Sequence, residues 1–299
     1  MCREKEVQFY FDKLCNTELV ELLNQFEEMP NTESEVFLCI KDYIWEEGTC
    51  YSDFFIVVPY LIRIASNLRI HESKDLWSYL GCWTATQEKY RVDISQDVLD
   101  DFDLALASAE KACIKQIMSV EKLDDQDAIY LYASLFSFAK HRFGYMTLAG
   151  YKDDIVGTSI AECPNGHVTD YTIYNSGIVY YEEHENPCKI SMNDDYNYIL
   201  SSKSDNPWNE FIPKFNKILL TDSVDKELKS HFNLSCRIAQ NGVTPFIEMR
   251  YAFSLYGCLL FCNGTIDLSM RVLHGLDIVC CSECGESYVF ADGWCEDSF

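Results

Sequence analysis

Two short groups of metal-binding residue types lie more than a hundred residues apart in the chain. The first is Cys163-Pro164-Asn165-Gly166-His167, and the second is Cys281-Ser282-Glu283-Cys284-Gly285. Neither group can complete a tetrahedral shell alone, but together they supply three sulfurs and one imidazole, a ligand set common in structural zinc sites. The sequence therefore predicts one Zn2+ that joins the middle of the chain to its C-terminal part. The predicted ligands are Cys163, His167, Cys281 and Cys284.

The second group has the form of a zinc knuckle. Its two-residue spacer lets both thiolates face one ion, and Gly285 permits the tight turn beneath them. A Cys-x-x-Cys pair can also be redox-active, but such motifs open a helix after a strand in a βαβ unit, which the pattern here does not indicate. The first group is less specific alone, and its context supports it. Each group follows a helical pattern and precedes a Tyr- and Val-rich stretch.

The coordination is expected to be closed, because four protein ligands leave no position for water or substrate. The zinc would then be structural rather than catalytic. Cys280 competes with Cys281 for a ligand position, and the spacing to Cys284 favours Cys281. His184 and Cys188 are less favoured substitutes.

The composition indicates a folded protein of a reducing compartment. The chain has 299 residues, of which 48% are hydrophobic, with only 13 Gly and 7 Pro, so it can bury a large core. Its 15 cysteines are odd in number and scattered through apolar stretches, unlike a disulfide framework. The first residues are charged without an apolar signal region, and no apolar run approaches the roughly 20 residues of a membrane span. We therefore expect a cytoplasmic protein that does not insert into membranes.

The net charge of −24, from 48 acidic and 24 basic residues, limits the class of partner. Direct nucleic-acid binding is disfavoured, because phosphate contacts need clustered Lys and Arg. An anionic membrane surface is disfavoured for the same reason. Two interpretations of the charge remain: it keeps the protein soluble, or it attracts a positively charged protein partner.

The hydrophobic pattern predicts a mostly α fold built from helical pairs. Apolar residues recur at three-to-four spacing through the first 157 residues, with helices starting after Asn31–Ser34, Ser52-Asp53 and Glu72-Ser73, and over about 95–118 and 124–140. Pro59 predicts a kink or a helix start nearby. Helix, short turn and helix in succession favour a HEAT-like α-solenoid or helical-pair array, with a compact bundle as the alternative.

The pattern divides the chain into four segments. Residues 1–157 form a helical repeat region, and residues 158–204 hold a β-hairpin, the first half of the metal site and a polar loop. Residues 205–277 form a second helical repeat region, with helices over about 208–219, 243–261 and 265–273. Residues 278–299 hold the second half-site and a β-like C-terminal tail. The two half-sites together form a small zinc-ribbon-like clip.

Several segments resemble a family of uncharacterised bacterial HEAT-like helical-repeat proteins. Residues 45–51, WEEGTCY, followed by VVPYL at 57–61, are similar to a family segment in which HQGTVY precedes a helix of the form A-x-PHLV-x-hA. Here Glu46-Glu47 replaces His-Gln, and Tyr60 replaces His. The stretch 251–264 and the knuckle at 278–285 resemble the closing helices and the C-P-x-C-G knuckle of the same family.

The chain departs from the family pattern at both knuckles. Ser282 replaces the proline of the second, and His167 stands one place later than the usual second Cys of the first. The resemblance implies a helical-repeat fold with a zinc clip and transfers no catalytic residue. Some of the related proteins are linked to toxin–immunity systems.

No familiar catalytic constellation occurs in the sequence. The six histidines form no HExxH, and neither a P-loop nor a GxGxxG is present. The acidic clusters Asp100-Asp101-x-Asp103 and Asp124-Asp125-x-Asp127 are expected to cap helix starts, and His71 and His141 to lie near helix ends. The sequence thus favours a non-enzymatic protein-binding protein, such as an immunity-type inhibitor of a basic partner. A scaffold or adaptor, or an enzyme with an unrecognised active site, are the alternatives.

Overall fold

The computed structural model describes residue 14 and residues 16–46, 48–148, 158–180 and 206–295. Over these residues the protein is mostly helical with three small antiparallel sheets, as the sequence predicts. The expected polar loop after residue 181 lies outside the described residues. No described helix is long and apolar enough to cross a membrane.

The first two helices begin at side-chain caps. Asn16 accepts hydrogen bonds from the backbone N–H groups at the start of α1, and Ser34 does the same for α2. Helix α2 ends at Ile44, because Trp45 pairs with Cys50 in a short hairpin whose turn holds Gly48 at φ +82°. The elements are α1 (Thr17–Glu28), α2 (Glu35–Ile44), β1 (Trp45–Glu46) and β2 (Thr49–Cys50).

Five helices follow, and most of them match the predicted ones. A short 3-10 turn, Gln87–Tyr90, separates the second and third of the five. The first of the five begins at Phe54, directly after the predicted start at Ser52-Asp53, and Pro59 lies inside it rather than at a helix start. The helices are α3 (Phe54–Asn67), α4 (Ile70–Ala85), α5 (Gln96–Met118), α6 (Asp125–Phe138) and α7 (Arg142–Leu148).

These helices stack as pairs. Helix α3 lies against α5, and α4 lies against α6, so the α3–α4 pair meets the α5–α6 pair through corresponding helices. The α4–α6 contact is close: a Cβ built on Gly81 would lie 2.0 Å from Ser134 Oγ and 2.8 Å from Ser134 Cα. Glycine at this position therefore sets the spacing of the two helices.

The second helical region closes around one buried helix. Of the 15 residues of α10, 12 are buried, and α10 contacts α6, α9 and α11. Helix α9 is not among the predicted elements, whereas the helices at 208–219, 249–263 and 266–274 agree with prediction. The elements are a 3-10 turn (Pro207–Phe211), α8 (Ile212–Leu219), α9 (Lys226–Asn241), α10 (Met249–Asn263) and α11 (Ile266–His274).

Two small sheets complete the described fold. Strand β4 has the alternating burial of a half-buried strand and pairs on both edges, with Glu162 opposite Val168 on one side and Ile173 opposite Ile178 on the other. The predicted hairpin is thus extended by an additional strand, β3. The elements are β3 (Thr158–Glu162), β4 (Val168–Tyr174), β5 (Gly177–Tyr180), β6 (Ile278–Cys280), β7 (Ser287–Val289) and α12 (Phe290–Gly293).

Candidate metal centre

The first candidate ligand pair lies in the turn between β3 and β4. The backbone N–H of Cys163 donates to the carbonyl of His167 at 2.9 Å, and the N–H of Gly166 donates to the carbonyl of Cys163 at 2.9 Å. Gly166 has φ +83°, a conformation that side chains other than glycine adopt at a cost. The turn thereby brings both ligand side chains to one side.

The second pair lies in the turn between β6 and β7 and repeats this arrangement. Here the N–H of Cys281 donates to the carbonyl of Glu286 at 2.9 Å, and the N–H of Gly285 donates to the carbonyl of Cys281 at 3.0 Å. Gly285 has φ +71°. Both half-sites are therefore tight hairpin turns closed by backbone hydrogen bonds and completed by a left-handed glycine.

The two turns meet, so that the four predicted side chains form one group. One ligand atom from each of Cys163, His167, Cys281 and Cys284 lies within 4.8 Å of the others. Cys163 Sγ is 3.6 Å from His167 Nδ1 and 3.8 Å from Cys284 Sγ. Tetrahedral zinc with Zn–S of about 2.3 Å and Zn–N of about 2.0 Å requires S···N near 3.6 Å and S···S near 3.8 Å. The group could therefore hold a metal ion.

The group lies at the edge of the core. Cys163 and Cys281 are 3% and 2% exposed, whereas His167 is half-buried and Cys284 is exposed. An ion held here would have two ligands anchored in the packed interior and one facing solvent. With four protein donors the arrangement matches the closed shells of structural sites.

Asn165, within the first turn, donates a hydrogen bond to Cys284 of the second ligand pair. Its Nδ2 donates to Cys284 Sγ at 3.4 Å, and this hydrogen bond, together with one from the backbone of Glu286, lowers the pKa of the Cys284 thiol to about 6. Burial raises the pKa of Cys163. These hydrogen bonds favour the thiolate form of Cys284, which is the form that binds metals.

The alternative ligands are separated from the group. Cys280 Sγ lies 3.4 Å from Ser287 Oγ, and Cys280 is not a member of the cluster that contains Cys281. The carbonyl of Cys280 accepts hydrogen bonds from the hydroxyls of Tyr171 at 3.1 Å and Tyr180 at 2.7 Å, which join the two sheets. His184 and Cys188 lie outside the described residues.

The turns are also attached to the helices. Trp294, just after α12, forms an isolated bridge with Ala161 of β3, and its ring lies 5.0 Å, centroid to centroid, from Phe253 of α10. Arg142 at the start of α7 donates to the Trp294 carbonyl at 3.2 Å. Strand β3, which leads into the first ligand turn, is therefore tied through Trp294 to the buried helix α10.

The acidic clusters have structural roles. Asp124 caps α6 by accepting from the N–H of Gln126 at 3.0 Å, as predicted. The prediction is wrong for Asp100, Asp101 and Asp103, which lie inside α5 beyond its first turn. Asp103 pairs with Arg91 at 2.9 Å and Lys140 at 2.6 Å.

His71 and His141 were both expected near helix ends. His71 lies on the first turn of α4. The second, His141, lies between α6 and α7 and is 3% exposed.

Sequence reasoning missed the outer contacts of the site. Asn165 lies between two predicted ligands, and this position is the signal that could have identified it as a hydrogen-bond donor to a ligand thiolate. Tyr171 and Tyr180 belong to the Tyr- and Val-rich stretch, which by itself predicts only β-structure. Their hydroxyl contacts cross from one sheet to another, and no local pattern encodes that distance.

Comparison of the sequence and structure with known protein families, curated proteins and solved structures finds no match. The class that the described residues define is a mostly helical protein carrying a Cys3His group on two hairpin turns.

Proposed function

We propose that this protein is a non-enzymatic binding protein of the cytoplasm, and that it recognises a positively charged protein partner. The observation that carries the proposal is a concentration of exposed carboxylates on α1, α2 and the hairpin that follows them. Residues 16–46 contain one basic residue, Lys41. Their exposed acids, named here the acidic face, are Glu18, Glu21, Glu28, Glu33, Glu35, Asp42 and Glu46.

The acidic face also offers apolar contact area. Met29 is 77% exposed and Leu38 is 45% exposed, and both lie among the carboxylates. Exposed charge steers an oppositely charged partner and raises its association rate, whereas apolar side chains supply the surface that a bound partner covers.

An inhibitor of immunity type, which covers a basic protein such as a nuclease toxin, is the form of this function that we favour. The resemblance to HEAT-like proteins linked to toxin–immunity systems supports it. The stacking of α3–α4 on α5–α6 supports the solenoid architecture that this resemblance implies. A scaffold or adaptor role rests on the same stacked helices and differs in having no effect on the activity of the partner.

We further propose that Cys163, His167, Cys281 and Cys284 bind one Zn2+ with a structural role. Three sulfurs and one imidazole at tetrahedral separations favour zinc over the hard cations that prefer oxygen ligands. Cys163, Cys281 and Cys284 form no disulfide, which suits a reducing compartment and leaves their thiols available to the metal.

The binding function is tested with a partner purified from its source by capture at low salt. Association rates are then measured at several ionic strengths for the wild type and for two variants of equal charge change. The first neutralises four acids of the acidic face: Glu21→Gln, Glu28→Gln, Glu33→Gln and Asp42→Asn. The matched control neutralises four exposed acids elsewhere: Glu121→Gln, Glu210→Gln, Asp222→Asn and Glu227→Gln.

We expect the first variant to associate at least tenfold more slowly at low salt and the control to change far less. The wild-type rate should fall as the Debye length shrinks from about 10 Å at 0.1 M to about 3 Å at 1 M. Equal effects of the two variants would show that only net charge matters. Rates indifferent to salt would contradict the electrostatic proposal and leave the scaffold role.

Metal binding is tested independently by elemental analysis of the purified protein. About one equivalent of zinc is expected in the wild type and in Cys280→Ser, which changes a neighbouring thiol outside the group. Cys284→Ser should lose most of the metal. Zinc retained by Cys284→Ser and lost by Cys280→Ser would assign the ligand positions differently.

A further inference from the structure

A second cluster of chemical groups lies around a cavity of about 270 Å³, one wall of which contacts the β1–β2 hairpin through Thr86 and Cys50. The cavity is formed by the end of α4 and the 3-10 turn after it on one side, and by the link between α6 and α7 on the other. Its lining includes the cationic residues Lys89, Lys140 and Arg142 and a single carboxylate, Glu88. In a chain of net charge −24, such an excess of cations requires an explanation.

The carboxylates nearby do not neutralise these cations. Asp103 pairs with only one of them, Lys140, at 2.6 Å, and it shares that charge with Arg91, which lies outside the lining, at 2.9 Å. Lys89 has no carboxylate within 4.0 Å among the described residues, and its Nζ lies 5.1 Å from the ring centroid of Tyr90. Arg142 donates to neutral acceptors, a backbone carbonyl and a thioether sulfur. The cavity wall therefore retains positive charge.

Lys140 has an unusual backbone. It is the only non-glycine residue with positive φ (58°) in the described part of the chain. It follows the last turn of α6, where glycine is favoured because a Cβ strains the left-handed conformation. A lysine kept at such a position suggests that its side chain is needed, since strained residues concentrate at functional sites.

An unsatisfied hydroxyl lies in the same wall. Ser137 is 2% exposed, and its Oγ has no hydrogen-bond partner among the described residues. The threonines of the opposite wall are satisfied, since Thr84 and Thr86 both donate to helix carbonyls. A buried hydroxyl without a partner is costly, and a small shift of the wall on binding would let it donate to an acceptor oxygen in the cavity.

We propose that this cavity binds a small phosphorylated compound, with its phosphoryl group between Lys89, Lys140 and Arg142. A phosphoryl group carries close to two negative charges and three acceptor oxygens, which suits three cationic donors and a free hydroxyl. Ligand cavities usually have volumes of about 300 to 1,000 Å³, so the bound molecule should be small. This site is separate from the protein-binding function and does not depend on it.

Inorganic phosphate is the probe for the first experiment. Binding is measured by calorimetry and by 31P line broadening at constant ionic strength, for the wild type, Lys89→Gln and the control Lys41→Gln. Lys41 lies on α2, outside the cavity. We expect saturable binding that weakens roughly tenfold in Lys89→Gln and is unchanged in Lys41→Gln. No saturable binding, or equal loss in both variants, would overturn the proposal, and acetate binding as tightly as phosphate would exclude phosphoryl selectivity.

Lys140→Gly separates a binding role from a structural one. Glycine relieves the positive-φ strain, so the melting temperature should stay the same or rise despite the loss of the Asp103 pair. Phosphate affinity should nevertheless fall about tenfold. Wild-type affinity in this variant would mean that Lys140 serves only to pair with Asp103, and the proposed phosphoryl position would be wrong.

Discussion

His141 is expected to make folding stability fall as the pH is lowered through the weakly acidic range. Its Nδ1 accepts a hydrogen bond from the N–H of Phe143 at 3.1 Å, so the proton lies on Nε2, which donates to the carbonyl of Ile247 at 2.9 Å. Burial lowers the pKa of His141 from 6.5 to about 4, because the charged ring would lose its hydration. The folded protein therefore holds this ring neutral, and the unfolded chain protonates it first.

The size of the effect follows from the pKa difference. Between pH 6.5 and pH 4 the unfolded state binds the proton and the folded state does not, so lowering the pH favours unfolding. Each unit of pKa difference corresponds to about 1.4 kcal/mol, which gives about 3 kcal/mol in total. This contribution to the free energy of unfolding is fully present above pH 6.5 and is lost progressively as the pH falls to 4. Below pH 4 it changes little.

The assay is urea denaturation at pH 7.5, 6.0, 5.0 and 4.0 for the wild type, His141→Gln and His71→Gln. Glutamine can keep the donor to Ile247 but cannot titrate, whereas His71 is exposed on α4 and serves as the control. At pH 7.5 His141→Gln should be less stable by about 1 kcal/mol. Between pH 7.5 and pH 4 the stability of His141→Gln relative to the wild type should rise by about 3 kcal/mol, so the deficit should disappear or reverse. Parallel pH profiles for wild type and His141→Gln would refute the reasoning.

Three further variants probe packing, a buried bridge and the metal group. Gly81→Ala places a methyl group against the Ser134 backbone and should cost about 1–3 kcal/mol in urea denaturation; an unchanged midpoint would show that α4 and α6 can separate freely. The Asn263 side chain accepts a hydrogen bond from the N–H of Leu123 and donates one to its carbonyl. Asn263→Ala should therefore lower the free energy of unfolding by about 2–3 kcal/mol, and a change below about 0.5 kcal/mol would mean that water replaces the amide. Cys284→Ser should lower the melting temperature without preventing folding, and a variant free of zinc that melts like the wild type would contradict a structural metal.

The metal group and most helices could be predicted because their signals are local. Cys281-x-x-Cys284-Gly285 encodes its own turn, and Ser34 and Asp124 mark the helix starts that they cap. The meeting of the two half-sites was inferred from complementary ligand counts, and the four side chains do converge. Ligand chemistry thus carried long-range information that hydrophobic spacing alone does not.

Helix α9 was missed because polar residues dominate its sequence. Leu228, Phe232 and Ile238 are buried on one side, but Lys229, His231 and Arg237 lie between them, so the segment as a whole is not apolar. Its stability comes from lying against α8 and α10, which is tertiary packing that the local sequence does not encode. The cavity beside Lys140 was invisible for the same reason, since its walls come from segments about fifty residues apart.

The hydrogen bonds around the metal group determine what an ion would add there. The two sheets are already joined by the tyrosine hydroxyls on the Cys280 carbonyl, and the bridge between Ala161 and Trp294 fixes the second hairpin against the first. Trp294 in turn packs on Phe253 of the buried helix α10. The ion would therefore act on an assembled frame, and its main effect would fall on the turn that carries the exposed Cys284. This explains why loss of the metal is expected to loosen the turns before the helices, unlike isolated zinc fingers, which unfold without their metal.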